Sequence, residues 1–137
     1  MSRYVLDACA LLALLRNEPG ADIVATTINA ANNNEAEIVM NKVNLLEVYY
    51  DLYRTIGKDK ANEVLSEIKK RPLTINAEIT DEIFSEAGRL KASHKISLAD
   101  SFALAQAIVS EGELMTSDHH EFDPVEGKEA ISFCWIR

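Results

Sequence analysis

The sequence predicts a three-layer α/β fold, with a central, mostly parallel sheet between two layers of helices. Short β-prone apolar runs alternate with segments of helical periodicity along the whole chain. A helix between successive strands implies crossover connections and parallel pairing. The length of 137 residues and the 47% hydrophobic content suit a soluble core the size of one domain, so residues 1–137 are expected to form a single unit.

The first strand is expected at Tyr4-Val5-Leu6, which runs straight into Asp7. Ala8–Arg16 has helical composition and stops at the break Asn17-Glu18-Pro19-Gly20. A second helix starts near Gly20, with Ile23, Val24, Thr27, Ile28 and Ala31 inward, and ends at Asn32-Asn33-Asn34. Ile38-Val39-Met40 is the second strand. Asn44 then caps a helix to about Thr55 carrying Leu45, Leu46, Val48, Tyr49, Leu52 and Tyr53, and Gly57 breaks it. Lys58–Lys70 is amphipathic through Ala61, Val64, Leu65 and Ile68, and Pro72 stops it. Leu73-Thr74-Ile75 is a short strand. Thr80 caps a helix to about Ser93 with Ile83, Phe84, Ala87 and Leu90 inward. Ser97 opens an alanine-rich, nearly all-apolar helix to Val109, the signature of burial on most sides. Leu114-Met115-Thr116 and Ile131–Ile136 complete the strands.

Composition narrows the function. No apolar run approaches a membrane span of roughly 18 residues. The opening lacks the basic and apolar blocks of a signal peptide, so a cytoplasmic protein is expected. Cys9 and Cys134 are far apart, and neither belongs to a C-x-x-C pair. Zinc-ribbon and thioredoxin-type chemistry are therefore not expected, and both cysteines read as small buried hydrophobes. The net charge of −8 argues against broad electrostatic binding of nucleic acid.

Most acidic residues, such as Glu63, Glu67, Asp81, Glu82 and Glu86, fit solvated helix faces. Asp7, Glu47, Asp100 and Asp118 instead stand in apolar company with no basic neighbour in sequence. Burying an unpaired carboxylate is costly, and a shared cation would serve all four. Asn44-x-x-Glu47 and Ser97-x-x-Asp100 also fit capping boxes. That alternative places both acids at helix N-termini, beside the carboxyl ends of strands where Asp7 and Asp118 lie. An all-acid cluster suits Mg²⁺ or Mn²⁺, and two ions about 3.5–4 Å apart assist in-line displacement at phosphorus.

At these residues the chain resembles the PIN-domain family, and more closely its VapC-type toxin ribonucleases. The resemblance rests on Val5-Leu6-Asp7-Ala8-Cys9-Ala10-Leu11-Leu12, on Asn44-Leu45-Leu46-Glu47-Val48, on Ser97-Leu98-Ala99-Asp100-Ser101-Phe102-Ala103-Leu104-Ala105 and on Thr116-Ser117-Asp118. Each motif alone is weak; four in order, across essentially the whole chain, are more specific. The resemblance implies a PIN-like α/β/α fold and an endoribonuclease dependent on Mg²⁺ or Mn²⁺. It also implies the toxin of a type II toxin–antitoxin pair, often homodimeric and neutralised by a small antitoxin. Carried over, Asp7, Glu47, Asp100 and Asp118 are the catalytic and metal-holding acids. Thr116 or Ser117 orients a water or a ligand carboxylate, or makes strand-end hydrogen bonds.

Other residues invite weaker roles. Arg89, Lys91 and Lys95 form a local basic cluster that docks phosphate or caps a solvated helix end. Lys69-Lys70-Arg71 is a second such cluster. His119, His120 and His94 are too few and too dispersed for a zinc site, and the first two read as loop residues. Asp123 reads as a turn residue before Pro124. Tyr49, Tyr50 and Tyr53 have the helical spacing of core or dimer packing rather than base stacking. Two other functions remain open. A haloacid-dehalogenase-type aspartyl phosphatase would use Asp7 as nucleophile, but its usual second acid is replaced by Cys9. An inactive acidic metal-binding interaction domain would keep the same acids without turnover.

Overall fold

Alternation within the strands sets the layers. In the computed structural model, which describes residues 1–137, Val5 and Leu114 face one core while their neighbours Leu6 and Met115 face the other. Strands β1 (Ser2–Leu6), β2 (Ala36–Asn41), β3 (Thr74–Asn76), β4 (Glu113–Thr116) and β5 (Phe133–Trp135) form one sheet in the order β3-β2-β1-β4-β5. Every pairing is parallel, so the expected mostly parallel sheet is wholly so.

Helices α1 (Ala8–Leu15), α2 (Ala21–Asn32), α3 (Lys42–Ile56) and α4 (Lys58–Lys69) cover one face. Their Leu11, Val24, Ile28, Leu45, Val48 and Ile68 pack on Leu6, Ile38, Met40 and Met115. Helices α5 (Asp81–Ser93), α6 (Leu98–Ser110) and the short α7 (His119–Phe122) supply Ile83, Leu90, Leu104 and Phe122 to the other core. This is the three-layer α/β/α architecture expected from the alternating pattern.

Several local expectations change. Helix α3 begins three residues early, because the Asn41 side chain accepts from the Val43 N–H and takes the capping role expected of Asn44. Asn44 instead lies fully buried in the first turn. Phe84, expected inward, is 72% exposed, because Ile83, Ala87 and Leu90 already fill the inner stripe of α5. Ile23 is likewise outside, with Val24 and Ile28 inside. The region after β4 is helical rather than loop, since four residues are too few to display a period. Cys9 and Cys134 are only partly buried, and both are free thiols.

One glycine has a steric reason. Gly20 caps α2 with φ +98°, and a Cβ there would lie 2.6 Å from the Ile136 carbonyl oxygen. Ile136 in turn donates its N–H to Thr116 O, so this close approach ties the α1–α2 turn to the sheet edge beside β4. No helix is long and apolar enough to cross a membrane.

Candidate active site

The strand order reverses at β1, with β2 on one side and β4 on the other. Crevices in open parallel sheets form outside the carboxyl ends of the strands at such a switch point. Asp7 follows β1 and Asp118 stands two residues beyond β4, so both flank that point. Glu47 lies on α3, which leaves β2, and Asp100 is in the first turn of α6.

Asp7 is 2% exposed and has both carboxylate oxygens engaged. The Ala10 N–H donates to Oδ1 at 2.8 Å, which caps α1. The Thr116 hydroxyl donates to Oδ2 at 2.5 Å. Thr116 Oγ1 also accepts from the Asp118 N–H at 3.0 Å, which directs the hydroxyl proton toward Asp7. One buried threonine thereby links the two acids across the switch point. Asp118 caps α7, accepting at Oδ1 from the Glu121 N–H at 3.1 Å. The Asp100 N–H donates to Ser97 Oγ at 3.1 Å, so Ser97 caps α6 as its sequence position suggests. Asn44 Nδ2 donates to Ala99 O at 3.0 Å and to Glu47 Oε1 at 3.3 Å, joining α3 to the start of α6.

The electrostatics show convergence. Burial pushes Asp7 up to about 7 against the Thr116 and Ala10 hydrogen bonds, with further upward pressure from Asp100 and Asp118. Burial also pushes Asp100 up to about 7, opposed by the Ser97 hydroxyl and reinforced by Asp118, Glu47 and Glu121. Glu47 is raised by burial, eased by Asn44, and raised again by Asp118. Cys9 senses the whole group: burial, then Asp7, Asp118, Asp100 and Glu47, push its thiol up to about 12. No arginine or lysine forms an ion pair with any of the four acids.

The donor chemistry fits a hard divalent cation. The carboxylates have no cation, Cys9 is held as a thiol, and Asn44 Oδ1 is a buried acceptor with no hydrogen-bond partner. All four acids act on Cys9, which places them in one neighbourhood, but no three His, Cys, Asp or Glu side chains form a ready ligand set. Local hydrogen bonds engage Asp7 with Ala10 and Thr116, Asp118 with Glu121 and Glu47 with Asn44. Glu47 and Asp118 are the two least buried of the four acids.

The other sequence candidates separate clearly. Thr116 is fully buried and orients a carboxylate rather than meeting substrate. Ser117 is half-buried, and its carbonyl accepts from the His119 N–H. Arg89 is held by Glu86 at 2.7 Å and Glu129 at 2.9 Å, so it is not a free phosphate anchor. Lys91 is exposed in the last turn of α5, where a cation complements the helix end. Lys95 lines a cleft beside α7. His119 stacks on Trp135 with ring centroids 3.8 Å apart, and it bonds Asp123 and the Arg137 carbonyl, a clamp on β5. Tyr49 bonds Asn62 and meets Tyr53 edge to face, while Tyr50 is exposed.

Three supporting roles escape sequence reasoning. Glu121 adds a third charge acting on Asp100, after Asp118 and Glu47, and its place three residues after Asp118 is the one signal that points to it. Asn44 has the sequence signature of a cap and serves as a tether. Gln106 lies inside an apolar helix, where a lone amide marks a buried network. Its Oε1 accepts from Asn41 at 3.0 Å and Asn76 at 2.7 Å, which pins α6 to the ends of β2 and β3.

Comparison with known proteins agrees with the fold. A family model described as PIN domain matches residues 4–128. No curated protein matches the sequence at a significant level. Among solved structures, the chain is similar to one in DNA-bound VapBC from Salmonella typhimurium, with TM-score 0.75, 12% identity and 100% of both chains covered. VapBC2 from Rickettsia felis, bound to a DNA fragment from its promoter, gives TM-score 0.73 and 17% identity, covering 96% of this chain and 97% of that one. VapBC-1 from nontypeable Haemophilus influenzae gives TM-score 0.72 and 15% identity, with 98% of each chain covered. At such identities the likeness is one of fold.

Proposed function

This chain belongs to the PIN-domain family, and from that premise we propose that it is a Mg²⁺- or Mn²⁺-dependent endoribonuclease acting as the toxin of a type II toxin–antitoxin pair. The observation that carries the reading is the pair Asp7 and Asp100, both buried at the switch point and both raised to about 7, by burial first and by neighbouring acids in addition. Such perturbed acids gathered in one crevice are typical of functional sites.

Asp7, Glu47, Asp100 and Asp118 would hold the cation. When bound, it supplies Lewis acidity toward phosphoryl oxygen and makes water acidic enough to attack near neutral pH. The chain's own residues do the rest. Thr116 fixes the Asp7 carboxylate, so that one ligand is oriented before anything binds. Asn44 keeps Glu47 and the first turn of α6 in register. Glu47 and Asp118, more exposed than Asp7 and Asp100, form the side open to a phosphodiester.

The aspartyl-phosphatase alternative is weakened by the same geometry. Asp7 is buried with both oxygens engaged, a poor arrangement for an attacking carboxylate. The toxin role draws support from the VapBC structures that share the fold. A small antitoxin with a basic tail would suit the net charge of −8. We include a homodimer and a cytoplasmic location in the proposal on the strength of the family resemblance.

One experiment tests the reading: incubation of the purified protein with structured RNAs in Mg²⁺ or Mn²⁺, in chelator, and as the Asp7→Asn variant. Cleavage in metal is expected to disappear in chelator. It should fall on the order of a thousandfold in D7N, since several kcal/mol of charge stabilisation are removed. Cleavage that survives chelation or the substitution overturns the mechanism. Metal binding without any cleavage favours the inactive binding domain.

A further inference from the structure

We propose that the cleft beside α7 is a second subsite, which holds a phosphodiester of single-stranded RNA next to the acidic crevice. The cleft has a volume of about 430 Å³ and is walled by Lys95, Lys128, His94, His120 and Glu121. That size takes a nucleotide-length piece of strand rather than a duplex.

Its position follows from the chain. Lys95 stands two residues before Ser97, the cap of the helix that carries Asp100. His120 and Glu121 lie in α7, which Asp118 caps. The cleft and the acid crevice therefore share the same two chain segments. The backbone at each lysine is held by a buried neighbour, while both lysines are themselves exposed. Ile96, 5% exposed, anchors Lys95; Val125, 1% exposed, accepts at its carbonyl from the Lys128 N–H at 3.0 Å.

The charges set the ligand class. Neither Lys95 nor Lys128 is in an ion pair, whereas Arg89 nearby is consumed by Glu86 and Glu129. Glu129 also takes His94 Nε2 at 2.6 Å, which fixes the histidine ring at the cleft wall. Glu121 is the one acid lining the cleft, and its charge also acts on Asp100. In a chain of net charge −8, two unpaired lysines in a concavity beside the acids select a polyanion there, while the acidic surface elsewhere repels it. The strand would then lie with one phosphate on the lysines and a neighbouring one over the acids. This explains how an acidic protein can take RNA at all.

The inference rests on the endoribonuclease reading, and its test separates the two. Binding of a fluorescein-labelled single-stranded oligoribonucleotide is measured by anisotropy in chelator over a salt series. The comparison is between the wild-type protein, K95Q/K128Q, and a control K58Q/K60Q that removes equal charge from exposed positions of α4. In K95Q/K128Q the slope of log affinity against log salt should shrink by about 0.7 for each phosphate that the lysines no longer neutralise. In Mg²⁺, KM should rise with kcat little changed, and the control should match the wild type. Wild-type slope and KM in K95Q/K128Q overturn the subsite, as does failure of the wild-type protein to bind the oligonucleotide. RNA bound through the lysines but never cleaved leaves the subsite standing and overturns the nuclease reading alone.

Discussion

Asp7 and Glu129 are both carboxylates with little exposure, yet the protein treats them in opposite ways. The Glu129 side chain is 11% exposed, and hydrogen bonds from Arg89 and then His94 hold it below the usual carboxylate range. Asp7 is 2% exposed with no cation in reach, and burial lifts it to about 7. The chain can place an arginine against a carboxylate where only structure is at stake. At the switch point it supplies hydroxyls and amides instead, which orient the acids without neutralising them. A buried acidic cluster without basic partners costs stability, and under the proposed function a ligand cation would offset that cost.

The largest test of that contrast is the dependence of stability on pH. Asp7 has a folded-state value raised above 3.8, so its favourable contribution is complete below about pH 4 and is lost as pH rises through about 7. In chelator, urea unfolding should therefore show stability falling across that window, by on the order of 4 kcal/mol from Asp7. D7N should flatten the decline. Saturating Mg²⁺ should reduce it, adding about 2.7 kcal/mol at a hundredfold excess over Kd, and more at pH 8 than at pH 5 because protons compete for the same oxygens. Identical pH profiles for wild type and D7N would show that the acid is not perturbed.

A smaller effect is expected from Thr116→Val, which keeps the shape but removes the hydroxyl between Asp118 and Asp7. Metal affinity and cleavage rate should drop by about 10–100-fold, the usual range for a group that orients a ligand. Thr116→Ser should restore most of the loss. Calorimetric titration with Mn²⁺ separates this positioning role from a packing defect, which serine would not rescue.

The smallest effect should come from the other half of the comparison. Glu129→Gln weakens a pair whose arginine is partly exposed and should lower stability by about 1 kcal/mol or less, with kcat little changed and at most a small rise in KM through His94 at the cleft wall. Its sign on the pH axis is opposite to that of Asp7. A lowered carboxylate contributes stability above about pH 4.5 and loses it as pH falls, so the variant should differ from wild type at neutral pH and converge with it in acid. Urea midpoints at pH 7 and pH 3.5 check this. A large loss of cleavage in E129Q would mean that the two acidic regions are coupled.

Much of this was legible in the residues themselves. The short apolar runs Tyr4-Val5-Leu6 and Leu114-Met115-Thr116 announced strands, and Thr80 and Ser97 marked helix starts at their observed positions. Four acids in apolar company stood out as candidates for one site, because a carboxylate among hydrophobes is costly wherever it folds, and all four act on Cys9 in the fold. Only the tertiary structure decided the rest, since it depends on contacts remote in sequence. Strand order put β4 rather than β2 on the far side of β1, and so brought Thr116 across 109 positions to the Asp7 carboxylate. Asn44 has the composition of a cap, and becomes a tether because Ala99 O stands 3.0 Å away. Arg89, Lys91 and Lys95 look alike in sequence, yet Glu129 binds the first, a helix end takes the second, and a cleft opens at the third. Residue type sets what a side chain can do, and the fold decides which partner it meets.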